Sequence, residues 1–93
     1  MAENFSLKAI ITGRVQGVSF REFTRRRAQA LGLTGYVQNL PGGGVEVSAE
    51  GERSSLEALL KSLKQGPPHA IVERVAHQWG AAKGGDREFK VLY

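Results

Sequence analysis

The chain has 93 residues, room for one domain and too few for two independent cores. With 41% apolar and 24% charged residues it has the composition of an ordinary folded protein rather than a disordered one. Thirteen Lys and Arg against nine Asp and Glu leave a net charge of +4, which fits an anionic partner such as nucleic acid, an acidic membrane surface or a small phosphate compound.

Residues 1–6 lack the basic start and apolar run of a signal peptide. Asn4-Phe5-Ser6 matches a glycosylation sequon, a chance match if the chain is not secreted. Leu7, Ala9 and Ile11 alternate with Lys8, Ile10 and Thr12, which predicts a strand. Phe20, Phe23, Thr24, Ala28 and Leu31 trace one face of a helix, with Ser19 placed to cap it and Gly32 to end it. Gly35 to Asn39 reads as a short strand. The Pro41-Gly42-Gly43-Gly44 turn then leads into Val45, Val47 and Ala49, which alternate with Glu46, Ser48 and Glu50, so the two strands form a hairpin.

Leu56, Leu59, Leu60 and Leu63 mark a second helix, with Ser54 and Glu57 as a capping-box match and Gly66-Pro67-Pro68 as its stop. Ile71 to Trp79 is a predicted strand with Ile71, Val75 and Trp79 on one face. Gly80 to Asp86 is a loop, and Phe89, Val91 and Tyr93 form a short terminal strand. This order predicts an α+β, ferredoxin-like α/β sandwich of the split βαβ type. Its sheet is antiparallel-rich, with four to five strands and two helices on one face. The domain spans 1–93.

No run of roughly 18 apolar residues is present, so no helix is expected to span a membrane. Cysteine is absent, which removes disulfides, thiolate nucleophiles and Cys-based metal sites. With only His69 and His77 as histidines and no carboxylates at ligand spacing, no metal and no cofactor is expected. His77 reads as a surface or edge residue, and Trp79 as core or strand-end packing.

The charge is concentrated. Arg14, Arg21, Arg25, Arg26 and Arg27 fall in one stretch whose single acid is Glu22. Gly13-Arg14-Val15-Gln16-Gly17-Val18-Ser19-Phe20-Arg21 joins the first strand to the first helix. Glycines in such a turn let the backbone bend sharply and approach a ligand, and N–H groups at a helix start can converge on a phosphate. The planar fork of Arg21 suits phosphate oxygens. The same segment also reads as a plain connector with surface arginines. It is not a Walker A loop, because the Gly-Lys-Ser/Thr ending is missing. Asn39, just before a tight turn, either orients a water through its amide or serves the turn itself. Arg25, Arg26 and Arg27 read as a solvated helix face or a steering field for anions.

Gly13-Arg-Val-Gln-Gly-Val-x-Phe-Arg21, with Gly35-Tyr-Val-Gln-Asn39 and Gly43-x-Val45, resembles the acylphosphatases over essentially the whole chain, including Gly66-Pro67 and Phe89-Lys-Val-Leu-Tyr93. The resemblance implies hydrolysis of acyl phosphates to carboxylate and inorganic phosphate without metal. It implies that the N–H groups of Val15, Gln16, Gly17, Val18, Ser19 and Phe20 cradle the phosphate, that Arg21 binds it, and that Asn39 positions the attacking water. The expected setting is a cytoplasmic monomer acting on a small acyl phosphate, with inorganic phosphate as product or inhibitor and no nucleic acid or membrane partner. A catalytically silent phosphate-binding or regulatory domain on the same scaffold is the alternative. A ferredoxin-like RNA-binding module is disfavoured, because neither the first nor the third strand carries an aromatic to stack a base.

Overall fold

The computed structural model describes residues 3–93. Seven elements follow in chain order: β1 (Asn4–Arg14), α1 (Phe20–Ala30), β2 (Thr34–Asn39), β3 (Val45–Glu52), α2 (Arg53–Gln65), β4 (Ile71–Ala81) and β5 (Phe89–Leu92). They build one five-stranded sheet in the order β4-β1-β3-β2-β5. Neighbours are antiparallel except β2 and β5, which run parallel. β3 inserts between β1 and β2, the split βαβ arrangement that right-handed crossovers produce. The sandwich expected from the element order is the observed fold, with a mixed five-stranded sheet.

Period-two burial explains the sheet. Leu7, Ala9, Ile11, Val45, Val47, Ala49 and Val37 turn inward and are buried. Glu46, Ser48 and Glu50 alternate with them on the open face and stay partly exposed. α2 covers the inner face with Leu56, Leu59, Leu60 and Leu63, and α1 with Phe20, Thr24 and Ala28. Thr24 is buried but satisfied, its hydroxyl donating to the Phe20 carbonyl at 2.9 Å. α1 packs on β2 and β5, while α2 packs on β1, β3 and β4. That division puts the start of α1 and the end of α2 side by side.

α1 closes as anticipated. Gly32 adopts φ 73°, and the N–H groups of Gly32 and Leu33 donate to the Gln29 and Ala28 carbonyls, a Schellman ending whose following Leu33 is buried in the core. Neither serine caps its helix. Ser19 is left-handed (φ 63°) and makes no side-chain cap bond. α2 starts one residue before Ser54, at Arg53, so its N-cap is Glu52, also without a side-chain bond. Glu57 instead faces Arg53 one turn back, at 3.6 Å.

The face predicted for β4 needs one correction. Leu7, Ala9 and Ile11 oppose Trp79, His77 and Val75, so these share the inner face. A bulge then intervenes: Thr12 opposes Arg74 but Gly13 opposes Val72. The extra residue, Glu73, switches the alternation. Val72 therefore takes the inner position, and Ile71 stands 55% exposed. Trp79 is partly buried beside the core and lies under the Arg53 guanidinium at 3.7 Å. His77 is exposed on this edge strand. Tyr93 lies beyond β5 and is fully exposed. Among the described residues no helix is long and apolar enough to cross a membrane.

Candidate active site

The segment between β1 and α1 is shaped by four local constraints. Gly13 comes first. It has φ +125°, and a Cβ there would stand 2.1 Å from the Ile71 carbonyl oxygen. Its lack of a side chain therefore serves the close approach of β1 to the bulged β4 rather than contact with a ligand, which corrects the reading of Gly13 as part of the ligand-facing turn. Val15 comes next, 1% exposed, and pins the segment into the core.

Gln16 is the third constraint. Its side-chain amide donates to the carbonyls of both Leu40 and Gly44, each at 2.9 Å. This couples the segment to the β2–β3 turn. Fourth, Gly17 and Ser19 both take positive φ, 76° and 63°. In Ser19 that conformation costs about 1–2 kcal/mol, the kind of local strain that rigid surroundings sustain at functional sites.

Beyond Ser19, α1 begins with no side-chain cap. Its first N–H groups have no intrahelical partner, and the helix dipole makes their surroundings favourable to an anion. A cavity of about 320 Å³ opens at this point. Val15, Gly17, Ser19 and Phe20 line one side, Arg21 and Glu22 the helix start, and Asn39, Val91 and Tyr93 the remainder.

Two strands bring the functional side chains together. Arg21 extends from the first turn of α1 toward β5, where its Nη1 donates to the Leu92 carbonyl at 3.4 Å and its guanidinium lies 4.8 Å from the centre of the Tyr93 ring. Asn39 is the last residue of β2, paired with Val45. The turn after it is closed by Leu40 donating to the Gly44 carbonyl, by Gly43 donating to the Leu40 carbonyl, and by Gln16. These bonds hold the turn without the Asn39 amide, which opens into the cavity.

Of the residues singled out from sequence, Val15, Gly17, Ser19, Phe20, Arg21 and Asn39 thus line one cavity. The side chain of Gln16 is spent on the turn, and Val18 packs against the core. Val91 and Tyr93 enter the site through the parallel β2–β5 pairing. No local signal in residues 89–93 announces that neighbourhood. Among the described residues no three His, Cys, Asp or Glu side chains come close enough together to hold a metal ion.

The remaining arginines divide sharply. Arg25 and Arg26 both donate to the Glu22 carboxylate, their Nε atoms at 2.9 and 3.0 Å. The Nε of Arg27 donates to Ser62 of α2 at 3.1 Å. Those hydrogen bonds, Arg25 first and then Arg26, hold the Glu22 carboxyl at about 2, well below its ordinary value. Because the folded-state value is depressed, this stabilisation is complete above about pH 4.5, the unfolded value, and fades as pH falls toward 2. The cluster is solvated, so added salt weakens it. Replacing Glu22 by Gln is expected to flatten the stability curve in that window, as followed by urea midpoints between pH 5 and 2.5; an unchanged acid slope would contradict the assignment.

The chain is similar to known proteins over most of its length. The family model described as Acylphosphatase matches residues 7–91. An acylphosphatase of Dehalococcoides mccartyi is 50% identical over 88 residues, covering 94% of this chain and 97% of the relative. An acylphosphatase of Thermus thermophilus is 54% identical over 78 residues, covering 84% and 89%. Among solved structures, the acylphosphatase of Bacillus subtilis superposes with a TM-score of 0.92 at 32% identity, covering 96% of this chain and 99% of that one.

Proposed function

The chain belongs to the acylphosphatase family, hydrolases acting on acid anhydrides, and from that premise we propose how its own residues carry out the hydrolysis. The phosphoryl group of an acyl phosphate enters the cavity and is held by the N–H groups of residues 15–20 and by the fork of Arg21. The Asn39 amide oxygen accepts a hydrogen bond from a water molecule and so aims the water's lone pair at phosphorus. The water oxygen forms the new P–O bond. The bond from phosphorus to the acyl oxygen breaks, and its electron pair leaves with the carboxylate. One water proton passes to a phosphoryl oxygen, so inorganic phosphate is released.

The supporting observation is that Arg21 from α1 and Asn39 from β2 open into one cavity at an uncapped helix start. A carboxylate is a good leaving group. The protein therefore has chiefly to position the reactants and stabilise charge on the phosphoryl oxygens. Fixed N–H donors and a guanidinium do both. All of these groups come from one chain, which supports a monomeric enzyme built as one domain over 1–93. No step calls on a metal, a membrane or a nucleic acid.

The test follows benzoyl phosphate by its ultraviolet absorbance, with and without EDTA. Turnover should be equal in both; loss on chelation would overturn the metal-free mechanism. In Asn39→Ala turnover should fall by about 10²-fold or more, by analogy with loss of one preorganised polar group, while inorganic phosphate still inhibits at its wild-type concentration. If phosphate inhibition weakens together with turnover, Asn39 belongs to phosphate binding instead.

A further inference from the structure

A second concavity, about 420 Å³, adjoins the catalytic one and shares Ser19 and Glu22 with it. Its floor is apolar: Phe23 of α1 with Pro67 and Pro68, which follow α2. Arg26 and Arg27 form its outer rim. Phe23 stands on the stripe of α1 that the sequence assigns to the core, yet it is only partly buried. Its ring meets Phe20 edge-on, with centroids 6.0 Å apart, and otherwise borders this groove. Pro68 is exposed.

The groove adjoins the cavity from which a leaving group has to depart. In phosphoryl transfer the attacking and leaving oxygens lie roughly in line on opposite sides of phosphorus. Asn39, which positions the water in the reading above, is on β2, the half of the sheet covered by α1. The Pro67-Pro68 segment follows α2, which covers the other half, β1, β3 and β4. The Ser19 wall lies between the two concavities. The groove is thus the concavity that adjoins the catalytic one past Ser19, on the side away from β2.

We propose that the groove formed by Phe23, Pro67 and Pro68 is the acyl subsite, and that it favours acyl phosphates with an apolar acyl group large enough to reach the Phe23 ring, aromatic or branched. This rests on the hydrolytic reading above. Each rim arginine is tied through its Nε, Arg26 to Glu22 and Arg27 to Ser62, so the apolar contact of the subsite comes from its floor. An acetyl group is too short to profit from the ring, whereas a benzoyl group presents a flat face to it.

The experiment compares benzoyl phosphate with acetyl phosphate in the wild type, in Phe23→Ala and in Pro68→Glu. Inorganic phosphate inhibition serves as an independent readout of the cradle. In Phe23→Ala, kcat/KM for benzoyl phosphate should fall about 5- to 10-fold, mostly through KM, in keeping with loss of one aromatic contact. For acetyl phosphate it should stay within about twofold, and the phosphate inhibition constant should not move. Pro68→Glu alters an exposed residue of the same floor, so it carries the test even where Phe23→Ala folds poorly, and it should show the same split. Equal losses on both substrates, or no loss on either, overturn the acyl subsite and leave the hydrolytic reading intact. A wild type that hydrolyses neither substrate overturns both.

Discussion

Arg21→Lys should lose nearly all turnover while keeping its charge. The expected fall in kcat is about 10²- to 10³-fold, the range for removing one preorganised donor to developing negative charge. Inorganic phosphate should also inhibit more weakly, which separates this variant from Asn39→Ala. The reason is geometric. In the folded protein the guanidinium already spends one edge on the Leu92 carbonyl and one face on the Tyr93 ring. Its planar fork can do this and still present two parallel N–H groups to a phosphate. An ammonium group is a point charge on a flexible stem, so it cannot make the backbone contact and the paired phosphate contact at once. Arg21→Gln should behave similarly or worse, since it keeps donors but no charge. Steady-state kinetics with phosphate as competitor decides the matter. A Lys variant with wild-type turnover would reduce Arg21 to a diffuse positive charge.

A large loss of stability is expected from Gly13→Ala. The added methyl would point into the Ile71 carbonyl oxygen at 2.1 Å and the Glu73 nitrogen at 2.8 Å, on a backbone with φ +125°. Both contacts are backbone, so no side chain can swing away to relieve them. Overpacking of this kind costs about 1–3 kcal/mol, and the disfavoured φ adds about 1–2 kcal/mol. For a domain of this length about 1 kcal/mol corresponds to a Tm shift of about 4–8 °C, so Tm should drop by about 8 °C at the least. Thermal unfolding followed by circular dichroism measures it. Gly17→Ala provides the contrast: φ is also positive, but a Cβ there meets nothing within 4 Å, so only the backbone term applies. Equal losses in the two variants would show that the close approach to β4 contributes little.

These cases also show what a sequence can disclose. The stripe of Leu56, Leu59, Leu60 and Leu63 was legible because its period matches the helix, and all four are buried. The alternation of Val45, Val47 and Ala49 was legible in the same way. Capping was not, because Ser19 and Ser54 carry the right side chains whether or not the backbone puts them at a helix start. The exchange of Ile71 for Val72 was not legible either. It depends on a bulge, and a bulge is a property of two strands paired together.

The site divides along the same line. Arg21, Asn39 and the glycine-bearing segment stand out in the chain as residue types suited to phosphate. What holds them was hidden, because Gln16 reaches carbonyl groups and carbonyls carry no sequence signal. The rest of the +4 charge was ambiguous for a different reason: whether Arg25 and Arg26 face a ligand or Glu22 depends on rotamers, and here Glu22 takes them both.

The Gln16 amide has a consequence for the cost of recognition. A loop that orders itself around its ligand gives up part of the binding energy to lost conformational freedom. Here the two carbonyl bonds of Gln16 and the buried Val15 fix the segment in the folded chain itself. The entropy of ordering it is met once, when the chain folds, instead of at every catalytic cycle. A small anion with few atoms to offer can then be gripped by a receptor that has no rearrangement left to make.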